Sequence, residues 1–274
     1  MTRAGVVGLG LIGGSIAREL AARGVRVLAH DADEATLDAA VRAGVVAERL
    51  GEARADEALD VLVLAVPVEA APRALARAAA WAERARLVTD AGSTKQGIVA
   101  AAEALGVRTF VGAHPLAGDH RSGWASSRRG LFDGAPVYLC PPAGQDAAIL
   151  QRAVAFWRTL GARPDVMTAA DHDRLLAWTS HLPQVAATAL AHALRSQAIP
   201  RGRLGPGGRD ATRLAASSAT VWTGIALENA APLEEATRAL EERLRELRHA
   251  LAERDAGALH RFFEEGHAWA AEEE

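Results

Sequence analysis

The chain opens with Ala4-Gly5-Val6-Val7-Gly8-Leu9-Gly10-Leu11-Ile12-Gly13-Gly14-Ser15, an apolar run that breaks into closely spaced glycines and resumes from Ile16 to Ala22. This pattern predicts a strand, a phosphate-binding turn and a helix. Gly8 permits the tight turn, Gly10 lets backbone approach a pyrophosphate, and Gly13 lets the helix pack closely on the strand. The N–H groups that open the helix, at Leu11 and Ile12, then face an anion with the positive end of the helix dipole behind them. A second apolar run, Val25 to Ala29, is followed by Asp31, eighteen residues after Gly13. That is where a carboxylate accepts hydrogen bonds from an adenosine ribose. No arginine follows it directly to receive a 2′-phosphate, so the expected cofactor is NAD rather than NADP.

Further along, Asp60 to Val66 is a nearly wholly apolar strand ending at Pro67, and Glu69 to Ala82 reads as helix. Arg86 to Asp90 is a strand broken at Ala91-Gly92, Thr94 to Leu105 a helix, and Thr109 to Ala113 a strand closed by His114-Pro115. Strands alternating with helices predict an α/β domain with a doubly wound parallel sheet, which binds ligands beyond the carboxyl ends of its strands. The glycine turn, Asp31, Val66, Pro67, Ser93 and His114 each follow a strand, so all are expected along one edge. Residues 116 to 134 form a polar loop long enough to be functional. Pro136 to Cys140 and Arg163 to Met167 are the last expected strands, flanking a helix from Asp146 to Leu160.

From Ala169 onward only helices are expected, which puts the domain boundary near Thr168: a nucleotide-binding domain over 1–167 and an all-α domain over 168–274. Asp171 to Ser196 reads as one long helix interrupted at Pro183. Leu233, Thr237, Leu240, Leu244, Leu247 and Leu251 make a coiled-coil-like seam, with Glu234–Arg238 and Glu241–Arg245 as i,i+4 pairs beside it. The seam is either intramolecular core or the face of a homodimer.

Bulk composition excludes several classes. The net charge is −3 with no basic cluster interleaved with aromatics, which argues against a nucleic-acid binder. No run approaches a membrane span, and the single cysteine, Cys140, rules out an intramolecular disulfide and a cysteine-based metal site. The expected setting is the cytoplasm. No HExxH or carboxylate–histidine cluster accompanies the helix histidine His181, so no metal site is expected. Lys95 is the only lysine among 31 cationic residues, so individual arginines carry little information.

His114 is the first candidate for chemistry: an imidazole at the cofactor edge, with Pro115 fixing the backbone behind it, can take a proton from a hydroxyl near neutral pH. A loop-capping histidine is the alternative. Ser93 is either the N-cap of the helix that begins near Thr94 or a hydroxyl that orients substrate. His181 and Gln184 share a helix face beside Pro183, where a missing backbone donor makes a kink. Arg213 can clamp a carboxylate or serve as half of a surface ion pair.

Taken together, Gly8-x-Gly10-x-x-Gly13, Asp90-Ala91-Gly92-Ser93-Thr94-Lys95, His114-Pro115-Leu116-Ala117-Gly118, Asp171-His172-Asp173, Ser180-His181-Leu182-Pro183, Arg209-Asp210-Ala211-Thr212-Arg213 and Trp222 resemble, in order and spacing, the prephenate dehydrogenases, a family that includes arogenate dehydrogenases. The resemblance implies a Rossmann domain followed by a helical dimerisation domain. It also implies NAD-dependent oxidative decarboxylation of prephenate to 4-hydroxyphenylpyruvate in tyrosine biosynthesis. On it, His114 corresponds to the catalytic histidine, Ser93 to the serine bonded to the reacting hydroxyl, and Arg213 to the arginine that binds a substrate carboxylate. His181, Gln184, His120 and Trp222 fall at substrate-facing positions. Gln184 stands where many members have a second histidine, and His120 where some have a glutamate. The loss of that acid leans away from the ammonium of arogenate and toward prephenate. The other readings are arogenate dehydrogenase, a β-hydroxy-acid dehydrogenase of the same plan, which would depend on a helix lysine, and a non-catalytic NAD-binding sensor.

Overall fold

The computed structural model describes residues 1–51, 58–118 and 121–272; His120 and its neighbour Asp119 lie outside the described residues. Contacts divide the chain into two compact units, Met1–Leu176 with Ala216–Asn229, and Ala177–Ala215 with Ala230–Glu274.

The first unit begins with β1 (Arg3–Val7), α1 (Leu11–Ala22), β2 (Arg26–His30), α2 (Glu34–Arg42) and the two-residue β3 (Glu48–Arg49). There follow β4 (Val61–Leu64), a 3-10 turn over Val68–Ala70, α3 (Ala71–Arg77), α4 (Ala79–Ala82), β5 (Val88–Asp90), α5 (Gln96–Ala104) and β6 (Phe110–Pro115). A 3-10 turn over Trp124–Ser126 precedes β7 (Pro136–Cys140), α6 (Ala147–Thr159), β8 (Arg163–Val166) and α7 (Ala169–Leu176). The second unit holds a π-helical turn (Ala177–His181), α8 (Leu182–Ser196) and α9 (Pro206–Ala211). After α10 (Ala219–Glu228), which belongs to the first unit, the second resumes with α11 (Ala230–Glu253) and α12 (Ala256–Ala271).

The eight strands form one Rossmann-like sheet in the order β3-β2-β1-β4-β5-β6-β7-β8. Strand order reverses between β1 and β4, the place where such sheets open a ligand crevice. All pairings are parallel except β6 with β7, which run antiparallel, His114 opposite Tyr138. The sheet is therefore mixed rather than wholly parallel. β7 and β8 pair with one another in parallel but run against the other six. An apolar run reads the same in either direction, and only the connection sets its sense.

Alternation along the strands explains why they look almost continuously apolar. In β4, Val61 and Val63 face one core cluster and Leu62 and Leu64 the other, all nearly fully buried. Ile16 and Leu20 of α1, Leu37 of α2, and Ile149, Phe156 and Trp157 of α6 cover the first face; Leu75 of α3 and Ile98 and Val99 of α5 cover the second. A sheet covered on both faces needs side chains of this kind at every position. Each fully buried Leu or Val stabilises the fold by roughly 1.5–3 kcal/mol.

Asp33 caps α2 by accepting from Ala35 N–H, and Asp146 caps α6 by accepting from Ala148 N–H, so both helices start where a short acid precedes an apolar-periodic run. The segment Glu69 to Ala82, expected as one helix, is broken into a 3-10 turn, α3 and α4. In the second unit the expected long helix is interrupted by the π turn, with Pro183 in the first turn of α8, where a missing N–H costs least. α11 carries both expected ion pairs, Arg238 to Glu234 at 2.6 Å and Arg245 to Glu241 at 2.9 Å. Along its seam Leu233 is buried, while Leu244 and Leu251 are more than half exposed.

Candidate active site

The glycine turn has the form its sequence requires. Gly8 has φ +91°, and a Cβ there would collide with the backbone of Ala65, just past β4. A Cβ on Gly13 would collide with the Gly8 carbonyl oxygen, so α1 seats directly on the turn only because position 13 is glycine. At Gly10 the opposite holds: a Cβ would meet nothing within 4 Å, so open space lies against bare backbone. Gly10 is also the N-cap of α1 and makes no side-chain capping bond. The first N–H groups of the helix, at Leu11 and Ile12, are left to an outside acceptor. These features fit a dinucleotide pyrophosphate.

Asp31 follows β2 and turns its carboxylate back to the turn, accepting from Leu9 N–H at 2.6 Å and Asp33 N–H at 2.8 Å. A carboxylate has about four lone-pair sites, so a diol can still be accepted there. Val66 and Pro67 follow β4, and the Val66 side chain borders Gly8. The loop after β6 is tied to α1: Ser15 Oγ accepts from Arg128 N–H, Ser127 Oγ from Arg18 Nε–H, and the Arg18 guanidinium lies 4.0 Å from the Trp124 ring centre.

Ser93 does not cap α5, as one reading of the sequence had it. The N-cap is Lys95, and the N–H groups of Lys95 and Gln96 are met by the two carboxylate oxygens of Asp173, at 2.8 and 2.9 Å. A cap supplied 78 residues away leaves the serine at the sheet edge without that duty. Lys95 is fully buried, its ammonium paired with Asp90 and donating to the Ala113 carbonyl at 2.8 Å. Asp90 also accepts from Ala113 N–H at 2.8 Å and Gly92 N–H at 2.9 Å. Both polar groups of the residue before His114 are therefore held by one buried ion pair. The Lys95 ammonium, buried and paired, is not presented at the surface of the site, which counts against the alternative that depends on a helix lysine.

His114, half-buried at the end of β6, has Nδ1 2.9 Å from Nε2 of His172, a fully buried histidine of α7. His172 Nδ1 in turn lies 2.8 Å from Asp173 Oδ1. Burial pushes the His172 proton affinity down, more than the hydrogen bond to Asp173 raises it. Burial pushes the Asp173 carboxyl up, but hydrogen bonds from His172, Gln96 and Lys95 outweigh it and hold the acid below its ordinary range. The sequence reading gave neither residue a role; the signal was the Asp-His-Asp triplet, an imidazole with an acid beside it. The Cys140 thiol is buried and pushed up to about 12, so no thiolate operates here.

The first unit thus brings Gly8, Gly10, Gly13, Asp31, Val66, Pro67, Ser93 and His114 to the carboxyl ends of β1, β2, β4, β5 and β6. Trp222, half-buried on α10, belongs to the same unit, with α10 lying against the turn over Val68–Ala70. Arg213, exposed at the start of a 3-10 turn, and the buried His181 and Gln184 belong to the second unit. Gln184 Nε2 donates to Thr188 Oγ1 at 3.2 Å and to the Leu214 carbonyl at 2.9 Å. Among the described residues no group of three His, Cys, Asp or Glu side chains could hold a metal, and no helix is long and apolar enough to cross a membrane.

Two families match the chain: prephenate dehydrogenase, nucleotide-binding domain, over residues 16–166, and prephenate dehydrogenase, dimerization domain, over residues 168–265. A prephenate dehydrogenase of Lactococcus lactis is 30% identical over 95% of this chain and 74% of its own length. A cyclohexadienyl dehydrogenase of Zymomonas mobilis is 34% identical over 95% of this chain and 92% of its own. Among solved structures, a prephenate dehydrogenase from A. aeolicus in complex with hydroxyphenyl propionate and NAD+ superposes with a TM-score of 0.89 at 28% identity, covering 98% of this chain and 97% of that one.

Proposed function

The chain belongs to the prephenate dehydrogenase family, and on that premise we propose that it is an NAD-dependent oxidoreductase converting prephenate to 4-hydroxyphenylpyruvate and carbon dioxide in tyrosine biosynthesis. The observation that carries this reading is the position of His114: a histidine with a buried imidazole behind it, on the sheet edge that also holds the glycine turn and Asp31. When bound, NAD supplies the acceptor for the hydride leaving ring C4, while loss of the ring carboxylate as carbon dioxide makes the ring aromatic.

The chain's own residues have the other tasks. The N–H groups of Leu11 and Ile12 and the backbone of Gly10 hold the pyrophosphate, Asp31 the adenosine ribose, and Val66 and Pro67 flank the dinucleotide. Ser93 orients the C4 hydroxyl, and His114 takes its proton as C4 is oxidised. Arg213 binds a substrate carboxylate through its guanidinium. His181, Gln184, Trp222 and His120 bind the rest of the substrate. We place a nucleotide domain over 1–167 and a helical domain over 168–274, the division at which the two matched families meet, although by contacts residues 169–176 and 216–229 pack with the nucleotide unit.

Reduction of NAD on addition of prephenate tests the proposal, with arogenate as the parallel substrate. Silence with both rejects it, and a higher kcat/KM with arogenate replaces prephenate as the substrate. Arg213→Ala is expected to raise KM for prephenate by about 10- to 100-fold with kcat within a few-fold, in steady-state assays. An unchanged KM removes Arg213 from substrate binding.

The helical unit leaves Leu244, Leu251, Phe263 and Trp269 more than half exposed. Apolar surface of this kind on a matched dimerization domain supports a homodimer, and the cytoplasm is its proposed setting. Sedimentation is expected to give twice the 28.7 kDa chain mass; a monomer at micromolar concentration rejects the dimer.

A further inference from the structure

The contacts of the two imidazoles behind the sheet edge fix which ring nitrogens carry the shared protons. An ionised carboxylate can only accept, so in the 2.8 Å contact between Asp173 and His172 the proton lies on His172 Nδ1. His172 is fully buried, and burial keeps it neutral. A neutral imidazole with its proton on Nδ1 carries its lone pair on Nε2. The 2.9 Å contact with His114 must then be an N–H of His114 Nδ1 donating to His172 Nε2. In neutral His114 the lone pair then lies on Nε2.

We propose that His172 is a positioning residue that, oriented by Asp173, locks His114 into its Nδ1–H tautomer and so keeps the lone pair on Nε2 for the substrate hydroxyl; the proposal rests on His114 being the base of the reaction above. When that proton arrives on Nε2, His114 becomes an imidazolium whose Nδ1–H stays in place and binds His172 Nε2 more strongly. No proton need pass beyond His114. His172 acts through His114 and touches no reacting atom.

The geometry makes His172 rigid. Its ring meets His114 edge-on with centres 5.1 Å apart and Tyr138 of β7 edge-on at 5.7 Å. The same Asp173 carboxylate is fixed by the N–H groups of Lys95 and Gln96, and Asn229 Nδ2 donates to the Asp173 carbonyl at 2.7 Å. The charged and titratable groups facing His172 are His114, Tyr138, Lys95, Asp90 and Asp173.

The test uses the full chain with ¹⁵N-labelled histidine. Two-bond ¹H–¹⁵N spectra distinguish protonated from bare ring nitrogens, and a His114→Asn sample identifies the His114 signals. A bare Nε2 and protonated Nδ1 are expected on His114 at alkaline pH; an Nε2–H tautomer overturns the proposal. His172→Leu is expected to lower kcat by about 30-fold with KM within about twofold. It should also move the acid limb of the kcat/KM profile to lower pH, because the His114 cation loses the acceptor that stabilises it. His172→Gln, whose carboxamide oxygen can accept the same N–H, should recover much of the loss. A His172→Leu enzyme with kcat within twofold and an unmoved acid limb overturns the proposal. If the wild-type protein fails to oxidise prephenate, the reaction assignment falls, while the tautomer spectrum still decides the role of His172.

Discussion

Replacing His114 by Asn is expected to lower kcat by about 100-fold or more while KM for prephenate stays within about twofold. Asparagine keeps the polarity of the site, and its amide N–H can still reach toward His172 Nε2, so the packing behind the strand survives. What it lacks is a basic nitrogen. The loss should therefore fall on the step in which the hydroxyl proton moves, and steady-state kinetics separates this from a binding defect. If KM rises and kcat holds, His114 binds substrate and the base lies elsewhere.

The second large effect is expected on stability. Lys95→Met removes the cation from a fully buried ion pair and leaves the Asp90 carboxylate in the core with only its two backbone donors, Gly92 and Ala113. Stranding one partner of such a pair costs about 3–5 kcal/mol, read from the urea midpoint at constant slope. The Lys95→Met/Asp90→Leu double variant should lie closer to wild type than Lys95→Met alone, because it strands no charge. A loss below about 1 kcal/mol for Lys95→Met would show that Asp90 is satisfied without it.

Much of the nucleotide half is legible in the sequence because its constraints are local. The glycine spacing dictates a turn, the carboxylate at Asp31 follows at the distance a βαβ unit sets, and runs such as Val61–Leu64 are apolar at every position because both faces of the strand are covered. The acids that cap α2 and α6 sit within three residues of the groups they cap. Periodicity likewise predicts α11 and its Glu–Arg pairs.

What the sequence conceals is decided by partners far along the chain. Ser93 looks like a cap because a serine precedes a helix, yet the α5 cap comes from Asp173. The Asp171-His172-Asp173 triplet marks an imidazole beside an acid but not its role, since its partner His114 is 58 positions away. The sense of β7 depends on how the loop before it crosses the sheet, and β3 is too short to leave a pattern. Glu69 to Ala82, rich in good helix formers, breaks into three pieces although its composition favours one helix, an instance of tertiary context overriding propensity.

The contacts around His114 close into a ring. Asp90 binds the Lys95 ammonium, the Lys95 N–H binds Asp173, Asp173 binds His172, and His172 binds His114. The peptide bond from His114 leads back to Ala113, whose N–H returns to Asp90. A linear relay has a loose end, and cutting it anywhere frees everything beyond the cut. A closed circuit has none: with any one link gone, each remaining member is still tethered from its other side. The imidazole at the sheet edge is thus held by two independent routes, one through side chains and one through the backbone of its own strand.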